Sequence, residues 1–142
     1  METRDRRILD KIRSEAKLVA SFIDDMDHAA FINNELKKRA VTQTLANIGE
    51  LVRKLSDDFK SQNKSIPWAA IRKTRNVIVH EYDDVDYEIV WHIATADIPV
   101  TIAEIDAIER SLGMELFGEA ERDANYNEIL KAIEEADGSE NE

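Results

Sequence analysis

The chain contains no cysteine, only four glycines and two prolines, and no long apolar run. Without cysteine, neither a disulfide nor a thiolate metal site can form. The scarcity of glycine and proline argues against a β fold with many turns and favours helices. No stretch approaches the roughly 18 apolar residues of a membrane span, and the charged start does not resemble a signal peptide. We therefore expect a soluble cytoplasmic protein with no membrane attachment.

The charge of the chain is unevenly distributed. Its 30 acidic and 19 basic residues give a net charge of −11, which by itself argues against a partner as acidic as RNA. Residues 119–142 hold nine acids and two bases, whereas residues 37–75 hold ten bases and three acids. That distribution is compatible with a local phosphate-binding surface. The alternative is an ordinary solvated helix face formed by Lys37, Lys38, Arg39, Arg53 and Lys54.

Apolar residues recur at helical spacing along most of the chain and predict six helices. They cover residues 4–25, 34–56, 66–80, 86–96, 97–113 and 119–136. Phe31 is predicted in a connecting segment, and the polar run 56–65 is predicted to be a loop. Asn33 or Asn34 caps the second helix, and Asp97 caps the fifth.

Short connections between helices of this kind favour an all-α, antiparallel up-and-down bundle. We predict one helical domain over residues 1–118, followed by an acidic C-terminal helix and a disordered tail over residues 119–142. The predicted fourth helix is rich in large apolar groups for its length. Such surplus apolar surface favours a homodimer.

The segment RNVIVHEY, residues 75–82, carries the groups best suited to chemistry. His80 could move a proton from a ribose 2′-hydroxyl or to the leaving oxygen, and Arg75 could stabilise the phosphate. Asn76 could orient His80 or bind a phosphate oxygen. Arg75 and His80 are five positions apart, about 140° around a regular helix, so they need a distorted helix or a second subunit to meet. The structural alternative is that Arg75 pairs with an acid and His80 caps a helix.

Further short motifs accompany this segment in a fixed order. They are Asn47-Ile48-Gly49-Glu50, Leu55-Ser56, Ile66-Pro67-Trp68, Arg75-Asn76 with His80 and Tyr82, Ile89-Val90-Trp91 and Asp97-Ile98-Pro99. With these motifs the chain resembles the HepT-like branch of the HEPN superfamily over residues 5–112. The spacing Arg-x4-His alone is weak, but Arg-Asn-x3-His-x-Tyr flanked by the two tryptophan motifs is specific.

The resemblance implies a dimeric helical bundle in which the Arg-x4-His segments of both subunits share one cleft. It implies a metal-independent ribonuclease without a cofactor, acting as the toxin of a toxin–antitoxin pair and leaving a 2′,3′-cyclic phosphate. It also implies a small nucleotidyltransferase (MntA-like) antitoxin that transfers AMP onto Tyr82. Position 81, often glycine in the family, is Glu81. This departure and the net charge favour an alternative, a non-catalytic module that docks the nucleotidyltransferase.

Several polar and aromatic residues outside the motif have less specific interpretations. Glu50 either pairs with an arginine near the cleft or is a plain surface carboxylate. Trp68 and Trp91 are predicted to pack in the core rather than to stack on bases. His28 and His92 lack partners at metal-ligand spacing and are assigned no site.

Overall fold

The computed structural model describes residues 3–73, 85–112 and 128–136, all in helices or short connections. The helices are α1 (Thr3–Ile23), α2 (His28–Ile32), α3 (Glu35–Lys54), α4 (Asp57–Gln62), α5 (residues 68–73), α6 (Tyr87–His92), α7 (Ile98–Ser111) and α8 (residues 128–136). A π-helical turn, Ile93–Asp97, joins α6 to α7. These three ranges contain no strand, so the predicted all-α fold is confirmed. The described residues up to Ile105 form one compact unit, and those from Asp106 form another.

The two longest helices, α1 and α3, form the antiparallel pair on which the core is built. At one end, the carboxylate of Asp5 accepts hydrogen bonds from the backbone N–H of Ser56 at 3.0 Å and from its hydroxyl at 2.7 Å. At the other end, the Lys37 ammonium lies 5.5 Å from the centre of the Phe22 ring. Their facing apolar side chains are buried, as their spacing predicts: Ile8, Leu9, Ile12, Ala16, Val19, Val41, Leu45, Ile48 and Val52.

The segment containing Phe31 is a short helix, so the predicted connecting segment there is wrong. Asp27 caps α2 by accepting a hydrogen bond from the backbone N–H of Ala30 at 2.8 Å. Phe31 is completely buried, with its ring centre 5.0 Å from that of Trp91. Five residues are too few for an apolar period to show in the sequence.

The predicted loop over residues 56–65 also contains a helix, α4. Ser56 is its cap: the hydroxyl oxygen accepts from the backbone N–H of Phe59 at 3.2 Å while it donates to Asp5. Phe59 is the buried residue of α4 and meets the Trp68 ring edge-on at 6.1 Å. The polar run contains one large apolar residue, which is too few to show a helical period, so the sequence pattern did not predict this helix.

The predicted break between helices at Asp97 is wrong, because the helical backbone continues through it. Ile98 has φ −65° and ψ −46°, which are helical values. Pro99 has no N–H, and its ring would crowd the carbonyl four residues back, a conflict that a wider π turn immediately before it relieves. The Thr101 hydroxyl donates to the carbonyl of Asp97 at 2.8 Å. The predicted start of a helix at Asp86 is confirmed, since Asp86 caps α6.

The end of the chain is described only over α8, which falls within the predicted helix 119–136. Every residue of α8 is exposed. The predicted boundary at 118/119 and the predicted disordered tail after Asp137 lie outside the described residues. Among those that are described, no helix combines the length and the hydropathy needed to cross a bilayer.

Candidate functional site

The predicted catalytic residues lie in a segment that the structure does not describe. Arg75, Asn76, His80 and Tyr82 all fall within residues 74–84. Glu50 is the predicted site residue that falls within the described part. The structure therefore bears on the two helices that flank this segment and on the surroundings of Glu50.

On the N-terminal side, the segment follows α5, and the first residues of α5 are held by hydrogen bonds and by packing. The indole N–H of Trp68 donates to the carbonyl of Asn63 at 2.9 Å, and the backbone N–H of Ile71 donates to the Pro67 carbonyl at 3.1 Å. Ile71 is almost fully buried. Because the Trp68 ring also contacts Phe59, this helix is held against α4. Trp68 packs against Phe59 as a half-buried side chain, so its predicted packing is confirmed at the edge of the core rather than inside it.

On the C-terminal side, the segment is followed by Asp86, the cap of α6, and α6 contacts α2. Asp86 accepts from the backbone N–H groups of Glu88 and Ile89 at 3.0 and 3.4 Å. The Trp91 ring lies against Phe31, and the Glu88 carboxylate is 2.6 Å from the His28 imidazole. Trp91 packs on the buried Phe31 but is itself half-buried, so it lies at the edge of the core. Both flanks of the segment 74–84 therefore have defined packing contacts.

Glu50 lines a groove of about 600 Å³ between α1 and α3. We call the exposed lining residues the rim and the half-buried ones the floor. The rim is Arg7, Lys11, Ser14, Asn47 and Lys54, and the floor is Asp10, Glu15, Glu50 and Leu51. Glu50 is half-buried, and its carboxylate oxygen lies 3.9 Å from Nε of Arg53 on the same helix. Its predicted pairing with an arginine near the cleft stays a prediction.

The rim cations Arg7 and Lys11 were not singled out from the sequence. They are four positions apart on α1, a spacing that places two side chains on one face of a helix, and this was the available signal. For Lys54 the sequence left open a phosphate-binding surface or an ordinary solvated helix face. Lys54 becomes part of a site only because α3 packs antiparallel to α1 and sets it beside Arg7.

Lys38 does not belong to a solvated face. It is only 9% exposed, its ammonium donates to Glu35 at 2.8 Å, and the centre of the Tyr87 ring is 4.4 Å away. The hydrogen bond from Lys38, with its charge, holds the pKa of the Glu35 carboxyl below its ordinary value. Lys38 therefore joins α3 to α6 and takes no part in the groove.

A metal centre is not formed by the residues that the structure describes, which contain no group of three His, Cys, Asp or Glu side chains placed to hold an ion. Two features of the described residues bear on function. The first is the pair of packed helices that flank residues 74–84, and the second is the groove whose exposed rim carries three basic residues.

Comparisons with known proteins identify the family. The family model "Ribonuclease HepT-like" matches residues 12–108. A Methanocaldococcus jannaschii protein named "Putative RNase MJ1380" is 33% identical over 109 residues, which cover 76% of this chain and 100% of that protein. "Probable ribonuclease HepT" of Thermococcus cleftensis is 27% identical over 99 residues, 70% of this chain and 90% of the relative. No solved structure matches. The resemblance seen in the sequence is confirmed, and the chain belongs to the HepT-like ribonuclease family.

Proposed function

We propose that this protein is a metal-independent RNA endonuclease and the toxin of a toxin–antitoxin pair. The proposal is supported chiefly by the family match over residues 12–108, which spans the whole segment Arg75-Asn76-x3-His80-x-Tyr82. Relatives that align over most of their own length are named as ribonucleases. The packed flanks of the segment suit a site whose groups must hold their positions.

The proposed reaction is an internal transfer at the phosphodiester. His80 takes the proton of the ribose 2′-hydroxyl, the 2′-oxygen attacks phosphorus, and the bond from phosphorus to the 5′-oxygen breaks. A proton delivered to that 5′-oxygen completes the step, leaving a 2′,3′-cyclic phosphate and a 5′-hydroxyl. Arg75 stabilises the charge on the phosphoryl oxygens, and Asn76 orients His80 or binds an oxygen.

A homodimer fits this chemistry. Arg75 and His80 do not share a face of a regular helix, so the same segment from a second subunit would supply the missing partner. Two His80 imidazoles in one cleft would allow one to act as base and the other as acid. Glu50, on the floor of the groove, would support this cleft by pairing with an arginine.

Removal of metal tests the proposal directly. The purified chain, shown to be a dimer by sedimentation velocity, is expected to cleave single-stranded RNA at an unchanged rate in excess EDTA. The products are expected to carry 5′-hydroxyl ends that a polynucleotide kinase labels directly, and 3′ ends that cannot be ligated until the cyclic phosphate has been removed. EDTA-sensitive cleavage, or 3′-hydroxyl products, would refute the mechanism.

Tyr82 is the proposed point of control. A nucleotidyltransferase antitoxin of the MntA-like class would transfer AMP from ATP to its hydroxyl, releasing pyrophosphate. The bulky anionic nucleotide would then block the cleft and repel RNA. No AMP or ATP site is proposed within this chain.

Tyr82→Phe separates cleavage from control. This variant is expected to cleave RNA at close to the wild-type rate but to gain no AMP adduct, as read by intact-mass spectrometry, when treated with the transferase and ATP. Tyr87→Phe is the matched control, because it removes a tyrosine hydroxyl while keeping the ring beside Lys38. Equal adduct formation on Tyr82→Phe and wild type would exclude Tyr82 as the acceptor.

The second candidate is a non-catalytic module that docks the nucleotidyltransferase. Glu81 favours it, because a carboxylate beside His80 repels phosphate, and so does the net charge of −11. Under this reading the chain binds the transferase and accepts AMP but leaves RNA intact in the EDTA assay.

A further inference from the structure

The groove between α1 and α3 is lined by three cations and three carboxylates, and the cations are the more exposed of the two sets. The three cations on the rim, Arg7, Lys11 and Lys54, are exposed, whereas the carboxylates of the floor are half-buried. Helix α1 carries six bases and three acids, and α3 carries five bases and two acids, so each helix is +3 in a chain of −11. A ligand lying along the rim would therefore meet positive charge first.

The rim cations are available for a ligand. Within residues 3–73, 85–112 and 128–136, the ion pairs of the structure engage neither Arg7, Lys11 nor Lys54. Arg7 and Lys11 are about 6 Å apart along the helix axis, at 1.5 Å per residue. Long basic side chains spaced along a groove can contact successive phosphates of a flexible strand.

The neutral rim residues and the floor suit a sugar as well as a phosphate. The Asn47 amide oxygen accepts a hydrogen bond from Gln43 at 3.0 Å, which leaves its NH₂ group as the donor for a ligand. Each floor carboxylate has about four lone-pair sites, so it can accept a ribose 2′-hydroxyl in addition to any contact it already makes. Carboxylates that can accept a hydrogen bond from a 2′-hydroxyl, close to cations that can bind phosphate, suit RNA better than DNA, which lacks that hydroxyl.

We propose that this groove binds the sugar–phosphate backbone of single-stranded RNA, with Arg7, Lys11 and Lys54 on the phosphates. The inference rests on the proposed function and extends it, because the groove would hold the backbone of the RNA substrate. The rim contains no aromatic side chain on which a base could stack. Binding here is therefore independent of base sequence, and any sequence preference arises elsewhere.

The test is the salt dependence of binding to a fluorescent 12-nucleotide RNA, measured by anisotropy with the full chain. His80→Ala is present throughout, so that cleavage does not interfere. The groove variant combines Arg7→Gln, Lys11→Gln and Lys54→Gln. The charge-matched control combines Lys17→Gln, Arg39→Gln and Lys64→Gln, three exposed residues that do not line the groove.

The groove variant is expected to bind about 10- to 100-fold more weakly at 0.1 M salt. Its salt slope is expected to fall by about 2, since each phosphate that a cation neutralises on a single strand adds about 0.7 to the slope. The control is expected to stay within about threefold of the parent. Equal losses of affinity in both variants, unchanged affinity in the groove variant, or no RNA binding by the parent would overturn the inference. Because binding is read without cleavage, a selective loss in the groove variant alongside an inactive wild-type chain would uphold the groove and refute the nuclease.

Discussion

Replacing His80 with alanine is expected to lower the rate of RNA cleavage by about 10²- to 10⁴-fold, the usual contribution of a positioned acid–base group. The imidazole is the group in the segment that can exchange a proton near neutral pH, since its ordinary pKa is about 6.5. Residual cleavage in the variant should come from Arg75 and from binding alone. The measurement is the initial rate on a labelled RNA in EDTA, repeated across pH.

Two comparisons make the His80 result specific. His92→Ala is the matched control, because His92 is an exposed histidine on α6 outside the proposed site. It is expected to leave the rate and the pH profile unchanged. In His80→Ala, the dependence of rate on pH near neutrality should also disappear, which a general loss of folding would not produce. Undiminished cleavage by His80→Ala would remove the basis of the proposed mechanism.

The long helices could be predicted from the sequence because their apolar residues repeat over many turns. Ile8, Ile12, Ala16 and Val19 mark α1, and this pattern lasts long enough to be distinguished from chance. A helix as short as α2 or α4 buries one large side chain, and a single residue has no period. The continuous helix around Pro99 was missed for another reason: proline ordinarily begins a helix, and the π turn that accommodates it has no sequence signature.

The candidate site likewise contains one part that the sequence indicated and one part that it did not. The segment 75–82 was singled out because its residue types and their order resemble the family's motif, and its catalytic role stays a prediction. The groove could not be identified, since Lys11 and Lys54 are 43 positions apart in the sequence and meet only through the packing of α1 against α3. Charge counts along the chain located the basic stretch 37–75 but gave no information about which helix it faces.

Phe31→Ala is expected to cost about 3–5 kcal/mol of unfolding free energy, the usual range for a buried phenylalanine. Phe31 is 0% exposed, and α2 contacts both α3 and α6. The deletion would leave a cavity facing the Trp91 ring that neighbouring helices can fill only in part. The measurement is the urea midpoint, with unchanged m taken as evidence of a two-state transition.

Leu36→Ala is the control, since Leu36 is 77% exposed and its truncation should change stability by no more than about 0.5 kcal/mol. A loss for Phe31→Ala no larger than that of Leu36→Ala would show that α2 contributes nothing to the core. Small domains are stable by only about 5–15 kcal/mol, so the alanine variant risks unfolding altogether. Phe31→Leu retains most of the volume and should cost about 1–2 kcal/mol, chiefly the contact between aromatic rings.

Phe31 also connects stability to the proposed chemistry. Its ring supports Trp91 on α6, the helix that follows residues 74–84, so loosening this contact would let one flank of the proposed catalytic segment move. A displacement of about 1 Å can cost a catalysed reaction about 100-fold. Phe31→Leu, assayed where it remains folded, should therefore lose more cleavage activity than its unfolded fraction explains. If its activity follows the folded fraction alone, α6 does not hold the catalytic segment in place.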